Sequence, residues 1–349
     1  MAKKSRTNPE YWADRAVKNS LGAWKDEAKI EKALEEAYKE VLAKIKSEVA
    51  DLYASYGIDN TLEYSSLMRP LTVQELDEYK LIMERILKQY GLDAERIISE
   101  IQRLRDMRKI TILDSKINMI EAELYKLGHL EQQTIGESLS RNYESIYYKS
   151  IFDSQQILGI GIPFQKLNTR AVQTAVAYPW SGAMFSDLVW DNKQVLLKDL
   201  KKTITTGIIR GESYQKMARN LNDSVLGGKG YKSALRIIRT ETAHVITEAT
   251  AEGYKKSNLV RQYRLIATLD SRTSHICQKL DNKVFNLDDM QVGVNAPVMH
   301  VHCRSCIAPY FADDDLSDST RIARDKTTGR NYKVQASMTF EEWYQKHVR

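Results

Sequence analysis

The three cysteines of this 349-residue chain, Cys277, Cys303 and Cys306, all lie in its last quarter, and His275, His300 and His302 stand among them. Thiolate sulfur and imidazole nitrogen are the usual ligands of tetrahedral zinc, and a structural site normally uses four. An odd cysteine count confined to one region argues against a disulfide framework and fits a metal site or reduced thiols. Cys303 and Cys306 have the spacing of a zinc knuckle, with Cys277 a loop length upstream. The expected set is structural zinc on Cys277, His300, Cys303 and Cys306, with His302 able to replace His300. No second cysteine stands two or three residues from Cys277, so half of the usual double pattern is missing. Packing of the same side chains without metal is the alternative.

A second constellation is Arg239, Glu241, His244 and Glu248, on a helix expected over Tyr231–Lys256. Glu241, His244 and Glu248 are spaced i, i+3, i+7 and share a face. Leu235, Ile238, Val245 and Ala249 form the apolar stripe beside them. A carboxylate next to an imidazole can do acid–base work or bind metal. A solvent-facing or interhelical polar network is the commoner outcome and is expected here, with Arg239 and Glu241 tying the helix to the strand and loop layer. The run from Asp270 to Cys277 puts Asp, Ser and His close in sequence, but nothing in it resembles a nucleophile elbow. A structural turn held by Asp270 and Arg272 is expected instead, and no residue is assigned a catalytic role. The alternative function is a metal-dependent nuclease or hydrolase of nucleic acid working through Glu241, His244, His275 or His300.

The net charge of +6 is unevenly placed: Lys201 to Arg264 carries thirteen Lys/Arg against five Asp/Glu, leaving the rest of the chain close to neutral. Lys229, Lys232, Arg236, Lys255, Lys256, Arg261 and Arg264 are the candidate contacts to a polyanion. Side chains placed this way neutralise phosphates without reading bases, and no groove-entering motif accompanies them. A solvated helix surface is the plain alternative.

The elements that must position these groups are mainly helical. With 42% hydrophobic and 28% charged residues, the chain can bury a core without disulfides. No apolar run approaches the roughly 20 residues of a membrane span, and no apolar segment follows the charged start as in a secretory signal. A protein made and used in a cytoplasm, or inside something assembled there, is expected. Residues 1–157 read as an elongated helical arm or bundle, with Ile30, Leu34, Ala37, Val41, Ile45 and Val49 at helical spacing. Strand signals are nearly absent there. Thr72 to Glu75 has the spacing of a capping box. Gly91-Leu92-Asp93 reads as a stop, and helices are expected from Ala94 to about Gly128 and from Leu130 to Ser154. Leu158–Pro163 is a break that lacks the features of a phosphate-binding loop. Residues 158–228 form a helical middle region, ending in the glycine-rich Leu226–Gly230, which reads as the loosest linker. Residues 229–312 read as a small α+β module: a strand at Tyr263–Thr268, a turn at Asp281–Lys283 into Val284–Phe285, and irregular chain from Pro297 to Ala308. Residues 313–349 are a polar tail with one short helix around Met338–Tyr344.

Taken together, the C-terminal residues resemble the phage head-morphogenesis or minor-capsid family, similar to the F protein of phage Mu. The resemblance is carried by Arg239-Thr240-Glu241 on a helix, Asp270-Ser271-Arg272-Thr273, Cys277, Val284-Phe285, and the stretch Pro297 to Arg304 with its His300 and Cys303. Arg239, Glu241, Asp270, Arg272 and Arg304 are the module's structural positions on this reading. Trp180 to Trp190 also resembles minor capsid proteins of phages of Gram-positive hosts. Asn282 stands where the family has a turn glycine, and asparagine tolerates the left-handed conformation. Ser305 stands where the family often has a second cysteine. The resemblance implies a low-copy head component that associates with portal, scaffold or major capsid protein during assembly in the host cytoplasm. It would then remain inside the virion and contact double-stranded DNA, without sequence preference, in packaging or ejection.

Overall fold

The computed structural model describes residues 9–89, 110–158, 166–311, 320–324, 330–335, 338 and 340–347. Helix α1, Pro9–Tyr56, opens on a proline, whose missing N–H costs nothing at the first helical position. It gives way to a small antiparallel hairpin, β1 (Gly57–Ile58) and β2 (Thr61–Leu62). Asp59 and Asn60 between them take φ of 51° and 59°, the paired left-handed residues a tight hairpin requires. After the single turn α2 (Tyr64–Leu67) comes α3, Val73–Gln89. Its capping box forms as expected: Thr72 N–H donates to Glu75 Oε2 at 2.8 Å and Glu75 N–H to Thr72 Oγ1 at 3.3 Å.

Helix α4, Ile112–Leu158, starts on the same device, with Asp114 N–H donating to Thr111 Oγ1 at 3.1 Å. The break expected between Gly128 and Leu130 does not occur. Gly128 lies inside α4, where its bare backbone admits the Trp190 ring; a Cβ there would meet that ring at 2.7 Å. The expected stop at Gly91-Leu92-Asp93, the start of the helix from Ala94, and 159–163 of the expected break lie outside the described residues.

The chain folds into two compact units, each assembled from separate segments. One comprises Glu31–Thr134 and Ser186–Leu235. The α1 stripe is buried in it at Leu34, Val41, Ile45 and Val49, joined by Tyr38. Helices α5 (Thr169–Ala177), α6 (Phe185–Ile209) and α7 (Tyr214–Leu226) follow in the chain, and α6 and α7 add Leu196, Leu200, Ile204, Met217 and Leu221 to this core. A charged group sits at the centre. Lys193 Nζ donates to Glu131 Oε2 and to Tyr38 Oη, each at 2.6 Å, and the Tyr38 hydroxyl donates to the same carboxylate at 2.9 Å. Burial, then the Glu131 charge, pushes the Tyr38 hydroxyl well above its ordinary pKa.

The glycine run after α7 is a tight reversal, not a loose linker. A Cβ on Gly227 would lie 2.0 Å from the Asp223 carbonyl oxygen, and one on Gly230 1.8 Å from that of Val225. Glycine is required there because backbone meets backbone.

The other unit comprises Met1–Ile30, Ile135–Phe185 and Arg236–Arg349. Helix α8, Tyr231–Ser257, is buried almost continuously from Glu241 to Ala251. It approaches α4 closely at Gly253, where a Cβ would meet the Tyr147 carbonyl oxygen at 2.9 Å. Strand β3 (Gln262–Ile266) is central in an antiparallel sheet, paired with β4 (Val284–Asn286) on one side and β5 (Cys306–Tyr310) on the other. β5 replaces part of the irregular chain expected after Pro297. Its Pro309 is tolerated because β5 is an edge strand. Helix α9 (His275–Leu280) lies between β3 and β4, and Asn282 takes φ 63° in the turn after it, as expected for the residue in the glycine position. The polar tail is also more structured than expected. β6 (Thr320–Arg324) and β7 (Asn331–Gln335) pair antiparallel, and α10 is Phe340–His347. Ala323, Val334, Met338 and Trp343 pack on Leu269, just after β3.

Lys193→Met leaves Glu131 charged and unpaired in the core. The expected outcome in urea unfolding is a loss of about 3–5 kcal/mol, with much of it recovered in Lys193→Met/Glu131→Leu.

Candidate metal centre

Helix α9 is short, but it is well started. The Ser274 side chain caps it by accepting the Cys277 N–H at 3.3 Å, which sets Cys277 on the inner face. The turn before it is built on Asp270. Arg304 forks onto this carboxylate, Nη1 to Oδ2 at 2.5 Å and Nη2 to Oδ1 at 2.8 Å. Arg272 N–H adds a bond to Oδ1 at 2.9 Å, and the Thr273 hydroxyl one at 3.3 Å. Burial alone would raise the Asp270 carboxyl, but the Arg304 bonds and charge outweigh it, and the group lies below its ordinary pKa.

The clamp brings the sulfurs together. Cys277 Sγ lies 3.8 Å from Cys303 Sγ and 3.3 Å from His300 Nε2, and the three ligand atoms all fall within 4.8 Å of one another. His300 Nδ1 is 2.8 Å from the Val301 carbonyl oxygen. A carbonyl only accepts, so Nδ1 carries the proton and the Nε2 lone pair is turned to the sulfurs. The Cys303 thiol is pushed down to about 5 by the hydrogen bond from Cys277 first, then by backbone N–H groups of Met299 and Ser305. Cys277 is pushed up by sharing that bond and by burial. Around them pack Ala243, Leu265, Ala267, Val298 and Met299.

These residues fit zinc. A tetrahedral ion with Zn–S near 2.3 Å and Zn–N near 2.0 Å spaces its ligands about 3.8 Å sulfur to sulfur and about 3.5 Å sulfur to nitrogen. Among the described residues no fourth His, Cys, Asp or Glu joins the group. Cys306, expected as a ligand, is buried elsewhere, with Ala13, Ala16, Ile266 and Ala308. Successive residues of an extended chain face opposite sides, so Ser305 and not Cys306 turns to the cysteines, hydrogen bonding to Cys277.

The other expected residues are dispersed. Glu241 accepts from Trp180 Nε1 at 3.0 Å, and the same indole stacks on His244 with centroids 4.5 Å apart. Burial raises Glu241 to about 6 and lowers His244 to about 3, so the imidazole is neutral at physiological pH. Arg239 lies 4.0 Å from Glu27 of α1, and Thr240 reaches the loop layer, accepting from His302 N–H at 3.4 Å. Trp180 was not among the expected site residues, although the stretch it opens, Trp180 to Trp190, carried part of the resemblance. Of the basic residues, Lys229, Lys232, Arg236, Lys255, Lys256 and Arg261 are exposed, with Lys229 paired to Asp199 and Lys256 3.6 Å from Glu252. Arg264 is a correction: it is 1% exposed, because β3 is covered on both faces and offers no solvent side.

Residues 198–308 match the family described as Phage Mu protein F like protein, which bears out the resemblance over that stretch. The relative named NAD(+)--arginine ADP-ribosyltransferase EFV, from Enterococcus faecalis (strain ATCC 700802 / V583), is 25% identical over 282 residues, 76% of this chain and 55% of EFV. Minor head protein GP7 of Bacillus phage SPP1 is 22% identical over 283 residues, 77% of this chain and 87% of GP7. The chain thus spans little more than half the length of the first of these relatives. No solved structure matches it.

Asp270→Asn removes the charge from the clamp and is expected to cost about 2 kcal/mol at pH 7. A lowered carboxyl stabilises the fold above its unfolded pKa, near 3.9, and loses that contribution as pH falls through the folded value. The gap between wild type and variant in urea midpoints is therefore expected to shrink below about pH 3.9.

Proposed function

We propose that this chain, whose residues 198–308 carry the Mu F-like match, is a structural component of a tailed-phage head. It associates with portal and with scaffold or major capsid protein during assembly in the host cytoplasm, and stays inside the virion. The observation that carries this reading is the family match together with an alignment covering 87% of a minor head protein. The activity in the name of EFV stays with that protein, of which this chain spans 55%. The buried, Trp180-bound setting of Glu241 supports a packing role for it.

Contact with DNA is the second part of the proposal. Lys232, Arg236, Lys255, Lys256 and Arg261 are its exposed candidates, and the buried Arg264 is not one of them. Binding through such residues is sequence-independent and releases counterions, about 0.9 per phosphate neutralised. The expected results are co-purification with portal from infected cells and retardation of unrelated DNAs at low salt, lost steeply as salt rises. Failure of both sinks the proposal.

The third part is structural zinc on Cys277, His300 and Cys303, which would cross-brace α9 and the loop before β5. Purified protein is expected to contain about one zinc per chain, lost in Cys277→Ser. Ser305→Cys, which places a thiol beside Cys277, is expected to slow removal of that zinc by a chelator. Metal-free, fully folded protein refutes the site.

A further inference from the structure

One turn apart on α8, His244 and Glu248 line a cleft of about 520 Å³. Tyr143 of α4, Leu167, Asn168, one side of α5 from Arg170 to Ala175, Tyr178 and Glu252 complete its walls. His244 is 3% exposed, and its Nδ1 has no hydrogen-bond partner. Among the described residues Glu248, half-buried, makes neither a hydrogen bond nor an ion pair. Burial raises its carboxyl, Lys255 pulls it back, and the Glu252 charge raises it again. Glu252 is better placed, with Lys256 at 3.6 Å. Two polar groups without partners therefore stand side by side on one wall. Folded proteins rarely leave a buried polar atom such as His244 Nδ1 unmet.

We infer that this cleft binds a small organic monocation, an ammonium or guanidinium on an aliphatic stem. Glu248 takes the positive charge, and the neutral His244 imidazole offers a lone pair to an N–H of the ligand. The rings of Tyr143 and Tyr178 flank the stem, and aromatic faces favour cations. The exposed Arg170 on the rim disfavours a second positive charge on the ligand. A bare metal ion fits less well. Among the described residues, the ligand atoms of His244, Glu248 and Glu252 do not converge as those of Cys277, His300 and Cys303 do. The Trp180 indole, stacked on His244 and bonded to Glu241, fixes the imidazole plane against the wall.

Calorimetric titration with acetyl-arginine methylamide, with n-butylammonium and with acetate tests this. Saturable binding of at least one cation and none of acetate is expected. Glu248→Gln should weaken that binding at least tenfold without lowering the melting temperature, and Glu252→Gln should weaken it less. Tighter binding of the arginine amide identifies an arginyl side chain of a polypeptide as the natural occupant; tighter binding of butylammonium identifies a free amine. Absence of saturable binding by either cation overturns the inference, as does equal affinity in Glu248→Gln.

Discussion

The forked ion pair between Asp270 and Arg304 is the constraint on which the C-terminal module depends. It joins the chain just after β3 to the chain just before β5, across 34 positions of sequence. Everything between, including α9, β4 and the loop that carries His300, must close within that span. Asp270 also accepts from Arg272 N–H and the Thr273 hydroxyl, so one carboxylate sets both the loop closure and the turn into α9. Cys277 follows that turn by a few residues, and Cys303 directly precedes Arg304. Fixing 270 against 304 therefore fixes the two sulfurs against each other. The geometry that suits a metal there comes from the clamp.

The second support is α8, a helix whose middle is enclosed yet carries polar side chains. Thr240 reaches the His302 N–H, Glu241 takes the Trp180 indole, and His244 lies flat against the same ring. Each of these is a short-range lock between the helix and a loop. Apolar packing brings α8 and β3 together through Ala243, Leu265 and Ala267, but packing of this kind is not directional. The polar contacts select one register of loop against helix, and so determine where the loop bearing His300 and Cys303 lies.

Much of this could be read from the residues alone, and the omissions have physical causes. The Thr72–Glu75 box and the Asn282 turn rest on local spacing, which a sequence carries directly, whereas Cys277 meets His300 and Cys303 across 23 and 26 positions and was suggested by residue type alone. Cys306 was misplaced because a two-residue gap says nothing about which side of an extended chain each residue faces; only the strand settles it. Arg264 looked like surface charge because a lone arginine between Tyr263 and Leu265 does not reveal that its strand is central. Gly128 and the Gly227–Gly230 run looked like breaks. Glycine also serves where a tryptophan ring or another stretch of backbone comes too close for a side chain. β5 was hidden by Pro309, and the short, polar strands β6 and β7 by the absence of a long alternating pattern. The assembly of each unit from distant segments left no local signal at all.

That last arrangement has a consequence for how the chain is made. Ala13 and Ala16 of α1 are buried against Ile266, Cys306 and Ala308, and Arg15 pairs with Asp153 at 2.5 Å. At the usual pace of a ribosome, roughly 290 residues take about 15–60 s to emerge. For that time the first turns of α1 stand exposed without the sheet they will cover, on a nascent chain that cannot yet finish this unit. The order of synthesis and the order of folding are thus decoupled, and the early helix must stay soluble on its own charge until β5 arrives.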